Sequence, residues 1–203
     1  MPKLILASTS TYRQALLQRL RIPFNVIAPS TAEALQDGEP PGAMAARLAA
    51  AKARDAAQIT DEPDAIFIGS DQVLAADSRK LGKPGTHDRA ITQLRSVSGR
   101  WVRFHTGLTV LRPKVNYSQT VVETYDIRFR TLSDPLIEQY LRAEMPYDCA
   151  GSLKAEALGI VLLHSARGED HTALLGLPLI SLVRLLREAG LDIDAAIGSE
   201  PPR

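Results

Sequence analysis

The amino-acid sequence predicts an α/β fold built on a mixed β-sheet. Short runs typical of buried strands alternate with amphipathic helical segments along the first half of the chain. Two long strand-like runs, 101–111 and 118–130, follow one another in the middle and suit a hairpin. The 203 residues are 45% hydrophobic, which is enough to form the core of one large domain or of two closely packed lobes.

In the first half of the chain, two buried strands are each accompanied by a helix. The first strand is predicted over 4–7, and Ser10 is a suitable N-cap for the helix that follows. Pro40 and Pro41 are placed to begin an alanine-rich helix. The second strand is predicted over 65–74, where an apolar run continues through a short polar segment.

In the second half, helix signals surround the long hairpin. Thr86 is predicted to cap a helix that Gly99 ends, and Ser133 to cap another. A late strand is predicted over 160–163, and Pro178 is expected to open the last helix. The pattern therefore alternates helices and strands on both sides of the hairpin.

We expect a single domain over 1–194 and a flexible tail over 195–203, since no repeat or linker divides the chain. Lysine and arginine (24) nearly balance aspartate and glutamate (23), which gives a formal net charge of +1. This balance argues against non-specific binding to nucleic acids or membrane surfaces, which requires a basic excess.

The expected compartment is the cytoplasm. The single cysteine, Cys149, cannot form an internal disulfide and fits a reducing environment. The apolar run near the N-terminus has only four residues, too few for a signal peptide. No stretch approaches the ~20 apolar residues that a membrane span requires.

The segment 6–13 predicts an anion-binding site at the start of the first helix. Free backbone N–H groups at a helix N-terminus favour an anion. Ser8 and Ser10 add hydroxyl donors, and Arg13 adds a guanidinium whose bidentate geometry suits phosphate. A serine-capped surface helix with a solvated arginine explains the same residues, and this segment alone favours that alternative.

Further charged residues stand out as candidates. Asp71 ends the apolar part of the second strand, where it could bind a metal or accept a proton from water; a turn-capping aspartate is equally compatible. Lys83 lies in a tight loop of glycines and proline, from which it could reach a phosphate. Lys52, Lys154 and Glu33 are candidates as well, although such residues taken singly are more often solvated.

Together these segments resemble the pattern of the Maf-like nucleotide pyrophosphatases, a family first named as septum-formation inhibitors. The resemblance extends from about residue 4 to residue 191, and the order and spacing of the motifs are more specific than any one of them. The matching positions are, in order, Leu6-Ala7-Ser8-x-Ser10-x-x-Arg13, Glu33, Lys52, Gly69-Ser70-Asp71, Gly82-Lys83-Pro84 and Ala150-Gly151-Ser152-x-Lys154.

The resemblance implies a two-lobed α/β fold, similar to that of the inosine-triphosphate pyrophosphatases, with a long central mixed sheet and an inter-lobe cleft. It implies that Asp71 activates water for attack on the α-phosphorus, and that Glu33 and Asp71 hold a divalent cation, Mg²⁺ or Mn²⁺. The residues that it implies for phosphate binding are Ser8, Ser10, Arg13, Lys52 and Lys83.

Three positions resemble the branch of the family that acts on 7-methyl-GTP. These are Tyr12, where that branch usually has tryptophan, Gln72 and Glu156. N7-methylation makes the guanine ring positive, so a stacked aromatic ring gains a cation–π attraction of about 1–2 kcal/mol. Glu156 could accept hydrogen bonds from the guanine N1–H and amino group, and Gln72 could contact the base edge. Packing beside Leu16 is the alternative role for Tyr12.

We therefore predict an enzyme that hydrolyses 7-methyl-GTP to 7-methyl-GMP and pyrophosphate. One alternative is a dTTP or UTP pyrophosphatase of the same family. The other is a non-catalytic, nucleotide-binding regulator of cell division. A homodimer is common in the family, but the sequence has no clear interface pattern.

Overall fold

The computed structural model describes residues 1–34, 36–77 and 79–197. Within these residues it contains one seven-stranded mixed sheet, in the order β2-β1-β3-β5-β6-β7, with β4 paired to β3. The strands β2, β1 and β3 run parallel, and the remaining pairs are antiparallel. The strand bounds are β1 Leu4–Ala7, β2 Phe24–Ile27, β3 Ile66–Ala76, β4 Arg79–Leu81, β5 Trp101–Arg112, β6 Tyr117–Phe129 and β7 Leu163–Arg167.

Seven α-helices and three short 3₁₀ helices are present in the same part of the chain. Those predicted from capping residues are confirmed: the hydroxyls of Ser10, Thr86 and Ser133 accept hydrogen bonds from backbone N–H groups of the first turn. No helix among the described residues is long and apolar enough to cross a membrane. The helix bounds are α1 Thr11–Gln18, α2 Pro41–Ile59, α3 His87–Val97, α4 Asp134–Glu144, α5 His171–Leu174, α6 Leu179–Glu188 and α7 Ile193–Ala196.

Two features near the C-terminus differ from the prediction. The segment 160–163 lies mainly in a 3₁₀ turn, Leu158–Leu162, and the strand begins only at Leu163, because β6 pairs with β7 from that residue onward. The helix opened by Pro178 is followed by α7, which includes the first residues of the expected tail. Residues 198–203 of that tail lie outside the described residues.

Asp71 lies inside β3 rather than at its end. Antiparallel pairing with β5 extends β3 to Ala76 and places Asp71 opposite Gly107. The parallel neighbour β1, however, ends at Ala7, which pairs with Gly69. Asp71 is therefore just beyond the carboxyl end of β1, where the sheet opens on one side.

The two larger hydrophobic cores lie along the same long strands, and two smaller clusters pack residues of α2 against the sheet. The first packs α1, α6 and α7 against β1 and the early part of β3, including Ile66 and Ile68. The second packs α3 and α4 against the late part of β3, including Leu74. Because β5 also contributes residues to both cores, the two lobes share one continuous sheet.

The backbone of helix α2 packs directly against the backbone of the sheet, because two glycines of the sheet face the helix. A Cβ built on Gly69 would meet the carbonyl oxygen of Ala49 at 2.1 Å, and one on Gly107 would meet that of Ala45 at 2.2 Å. Only glycine allows such an approach. This close packing places Lys52, on the same helix, next to the strand that carries Asp71.

Candidate active site

A cleft of about 790 Å³ lies between the start of α1, helix α2, strand β3 and two loops on the side of the second core. Its walls contain every residue to which the family resemblance assigned catalysis, metal binding, phosphate binding or specificity. These residues are Ser8, Ser10, Tyr12, Arg13, Glu33, Lys52, Asp71, Gln72, Lys83 and Glu156. Residues separated by up to 148 positions in the chain are thus brought to one cavity.

Lys52 is the centre of the polar part of the cleft. Its Nζ donates a hydrogen bond to Asp71 Oδ1 at 2.6 Å and another to Glu33 Oε1 at 2.6 Å. The side chains of Lys52 and Asp71 are only 8% and 11% exposed, whereas that of Glu33 is 60% exposed. The buried ammonium group is therefore paired on both sides, as a buried charge must be.

Glu33 is held in place from two directions. The hydrogen bond from Lys52, together with the positive charges of Lys83 and Arg13, lowers the pKa of Glu33, so its carboxylate stays ionised. The loop that carries Glu33 is anchored to α2 by Arg47, which donates two hydrogen bonds of 2.7 Å to Glu39 and one to the Ala34 carbonyl.

Arg13 lines the same cleft from the first turn of α1. Its Nε donates to the carbonyl of Gly176 at 2.9 Å, and a terminal nitrogen contacts Ser8 Oγ at 3.4 Å. Burial lowers the pKa of the guanidinium, and the charges of Asp71 and Glu33 oppose that shift. The guanidinium stays charged under all ordinary conditions.

The two serines of the first motif have different local partners. Ser10 Oγ accepts from the backbone N–H of Arg13 as the helix cap, while Ser8 Oγ accepts from the backbone N–H of Ser10. Together these bonds fold the chain tightly where β1 passes into α1. Residues 8–13, which form this turn, all line the cleft, although the N–H groups of Ser10 and Arg13 are already bonded within the turn.

Gln72 has a structural role that the sequence did not indicate. Its Nε2 donates to Thr106 Oγ1 and to the carbonyls of Ala173 and Leu174, at 2.8–3.1 Å. Its two N–H donors are thereby committed to the protein, and only Oε1 is left to contact a base edge. Gln72 thus fastens strand β3 to helix α5.

Hydrogen bonds to the segment after β7 also link β3 to Arg13. Ser70 Oγ lies 2.8 Å from the carbonyl of Gly176, which also accepts from Arg13, and 2.9 Å from that of Gly107. Asp170 caps α5 by accepting from the N–H of Thr172. The segment after β7 is therefore held between strand and arginine. Sequence reasoning missed this segment because its contribution is a backbone carbonyl.

Tyr12, next to Arg13 on α1, lies near acidic residues of the cleft. Burial, and then the neighbouring Cys149, Glu156 and Asp148, raises the pKa of Tyr12 to about 12. The residue is 39% exposed, so part of it is accessible to a ligand. Tyr12 and Glu156, two of the residues predicted to recognise the base, both line the cleft, and Asp148 is a lining residue that the sequence analysis did not single out.

The two remaining lysines of the pattern differ. Lys83 is exposed and lines the cleft. Lys154 instead donates to the carbonyl of Glu144 at 2.7 Å and lies near its carboxylate, so it fixes the end of helix α4. Within the described residues, no cluster of three or more His, Cys, Asp or Glu side chains could hold a metal.

Comparisons with known proteins show which sequences and folds this chain is similar to. A family profile described as Maf-like protein matches residues 3–189. The 7-methyl-GTP pyrophosphatase of Burkholderia lata is 52% identical over 96% of this chain and 93% of its own, and that of Bordetella avium is 52% identical over 94% and 95%. A solved HAM1 protein from Coxiella burnetii shares the fold, with a TM-score of 0.51 and 16% identity over 93% of this chain and 100% of the other.

Proposed function

This chain belongs to the Maf-like protein family, and from that premise we propose that it hydrolyses 7-methyl-GTP to 7-methyl-GMP and pyrophosphate. The relatives that match over nearly their whole length are named 7-methyl-GTP pyrophosphatases. The observation that supports the proposal best is the pairing of Lys52 with Asp71 and Glu33 in a cleft that Arg13 also lines. A buried cation between two carboxylates suits the binding and cleavage of a charged phosphate chain.

The phosphates are neutralised by the cations that surround the cleft. A triphosphate has about four negative charges, which repel an attacking water unless they are compensated. Arg13 and Lys52 supply positive charge from rigid positions, and Lys83 supplies it from an exposed loop. The serine turn at the start of α1 adds hydrogen-bond donors. Catalysis of this kind consists mainly of positioning and electrostatic stabilisation.

The carboxylates fit a divalent cation. Mg²⁺ is commonly bound by one or two carboxylates together with substrate phosphates, so Glu33 and Asp71 suffice without a third protein ligand. Each of them uses one oxygen for Lys52. Thr31 Oγ1, in the loop of Glu33, is a buried oxygen without a hydrogen-bond partner among the described residues. When bound, Mg²⁺ or Mn²⁺ would polarise the phosphate oxygens and offset their charge.

Asp71 is assigned as the group that accepts the proton of the attacking water. It lies at the floor of the cleft with one carboxylate oxygen held by Lys52. That hydrogen bond fixes the orientation of the carboxylate and leaves the other oxygen to contact both the cation and the water. Attack of this water on the α-phosphorus breaks the bond to the bridging oxygen and releases pyrophosphate, while the proton passes to Asp71.

Tyr12 and Glu156 are assigned to the base. The tyrosine ring attracts the positively charged 7-methylguanine, and the carboxylate accepts hydrogen bonds from its N1–H and amino group. Gln72 is assigned a smaller role at the base than its sequence position indicated, because its amide nitrogen is already bonded to α5. This combination favours a cationic purine over dTTP or UTP.

The context of the reaction is proposed on the same basis. We place the enzyme in the cytoplasm as a single domain over 1–194, acting on a free nucleotide rather than on nucleic acid or a membrane. A homodimer is proposed only from the family resemblance.

The test is turnover of 7-methyl-GTP, GTP, dTTP and UTP with Mg²⁺ or Mn²⁺, with detection of released pyrophosphate. We expect the highest kcat/KM for 7-methyl-GTP, and loss of turnover in the nearly isosteric Asp71→Asn variant, which keeps the fold although it loses one partner of the buried Lys52 ammonium. Preference for a pyrimidine would select the dTTP or UTP alternative. Binding of triphosphate without turnover in the wild type would instead favour the regulator.

A further inference from the structure

Gln93, on helix α3, joins two separate walls of the cleft. Its Nε2 donates to the carbonyl of Gly82 at 2.8 Å, and its Oε1 accepts from Ser152 Oγ at 2.7 Å. The orientation of the amide is determined, because a flipped amide would place two carbonyl-type oxygens against each other. The side chain therefore uses both of its ends to hold other parts of the chain.

The first of these parts positions Lys83. The carbonyl of Gly82 and the nitrogen of Lys83 belong to one planar peptide unit, so a hydrogen bond to that carbonyl fixes the orientation of the chain at Lys83. The same carbonyl accepts from the N–H of Gly151 at 3.2 Å. The N–H of Gly85 in turn donates to the carbonyl of Tyr147 at 2.9 Å.

The second part positions Glu156. Ser152 is fully buried and has a φ of +58°, in the left-handed region that a non-glycine residue adopts only under strain. The surrounding bonds hold it there: Ser152 Oγ donates to Gln93, and its carbonyl accepts from the Tyr140 hydroxyl at 3.1 Å. The Tyr140 hydroxyl also accepts from the N–H of Lys154. The chain leaves this turn toward Glu156 on the cleft wall.

We propose that Gln93 is a positioning residue that sets the spacing between Lys83 and Glu156, and so links recognition of the phosphates to recognition of the base. The inference rests on the proposed hydrolysis of 7-methyl-GTP. Gln93 itself is not among the residues that line the cleft, so it acts through its two neighbours. Its removal should affect catalysis and base preference together.

Three variants separate the two connections. Gln93→Leu removes both hydrogen bonds at similar volume. Gln93→Glu keeps an acceptor for Ser152 but places an oxygen against the Gly82 carbonyl, and Ser152→Ala removes only the bond toward Glu156. We expect Gln93→Leu to lower kcat/KM for 7-methyl-GTP about tenfold and to reduce the ratio of 7-methyl-GTP to GTP turnover.

The two partial variants should divide this effect. Gln93→Glu should lower kcat/KM for both nucleotides alike, while Ser152→Ala should mainly reduce their ratio. The matched control is Gln139→Leu on α4, an exposed glutamine, which should leave both quantities unchanged. Wild-type values in a folded Gln93→Leu protein would overturn the proposal, as would a uniform loss of turnover that only follows a lower melting temperature.

Hydrogen exchange separates this inference from the proposed activity. In the protein without nucleotide, Gln93→Leu should accelerate exchange of the Gly85 and Gly151 amides, which pair the two walls. Unchanged exchange would overturn the role of Gln93 whatever the enzyme hydrolyses. If the wild type hydrolyses no triphosphate but exchange does respond, the proposed function fails while the structural link stands.

Discussion

Replacement of Gly69 by alanine tests whether the close approach of α2 to the sheet is needed for activity. An added Cβ would lie 2.1 Å from the Ala49 carbonyl oxygen and 2.7 Å from the Ala53 nitrogen. Real Cβ atoms essentially never come within 3.0 Å of another atom. Both obstacles are backbone atoms of a helix and cannot rotate away, so α2 must withdraw by about 0.9 Å or more.

That displacement acts directly on the polar centre. Lys52 lies one helical turn after Ala49, and its Nζ is 2.6 Å from Asp71 Oδ1. A withdrawal of this size stretches the bond toward the limit of hydrogen bonding unless the lysine side chain readjusts. Misplacement by about 1 Å can reduce a rate about 100-fold, and overpacking costs about 1–3 kcal/mol of stability.

The assay combines kcat/KM for 7-methyl-GTP with the free energy of unfolding from urea titration. The matched control is Gly42→Ala on the same helix, where the new Cβ would meet its nearest atom, His105 Nδ1, at 3.4 Å. We expect Gly69→Ala to lose at least tenfold in kcat/KM and to be destabilised, and Gly42→Ala to lose neither. A Gly69→Ala protein with the activity and stability of the wild type would refute this reasoning.

Three further predictions concern single side chains. Lys52→Met should lower kcat/KM about 100- to 1000-fold, because it leaves Asp71 without its cation; activity near that of the wild type would contradict the assignment. Tyr12→Trp should raise the preference for 7-methyl-GTP over GTP, since tryptophan gives the strongest cation–π attraction, and an unchanged ratio would place the base elsewhere. Asp126 accepts two hydrogen bonds from Arg103, which lower its pKa below the ordinary 3.8. The ionised Asp126 therefore stabilises the fold above pH 3.8, and this stabilisation is lost as the pH falls further. The free energy of unfolding of Asp126→Asn should accordingly depend less on pH below 3.8 than that of the wild type. Equal acid sensitivity of the two proteins would count against this role of Asp126.

Most of the fold follows from local signals in the sequence. Serine and threonine caps and buried apolar runs mark the main helices and strands correctly. Strand β2 was missed because its four residues are half-exposed or exposed and show no apolar periodicity. The apolar run 160–163 was misassigned because composition does not reveal where the partner strand offers pairing. Such outcomes depend on tertiary contacts rather than on the segment itself.

The site was predicted as a set of residues but not as a set of bonds. Spacing within the family pattern selected Glu33, Lys52 and Asp71, which the fold brings into contact. It did not reveal that Gln72 would use its amide on backbone carbonyls, or that Lys154 would contact Glu144 instead of the cleft. Every residue has a backbone carbonyl, so a residue pattern does not indicate which carbonyl a side chain will bond to.

The uninterrupted strands have a consequence for unfolding. Because β3 and β5 each contribute side chains to both hydrophobic cores, neither lobe has a complete set of strands without the other. Unfolding of one lobe would break the hydrogen bonds between β3 and β5, on which the other lobe also depends. We therefore expect both lobes to unfold in a single cooperative transition. The cleft therefore lies between two lobes that are joined by continuous strands. Within the part of the chain that the structure describes, no flexible linker lets one lobe unfold and expose its core while the other stays folded.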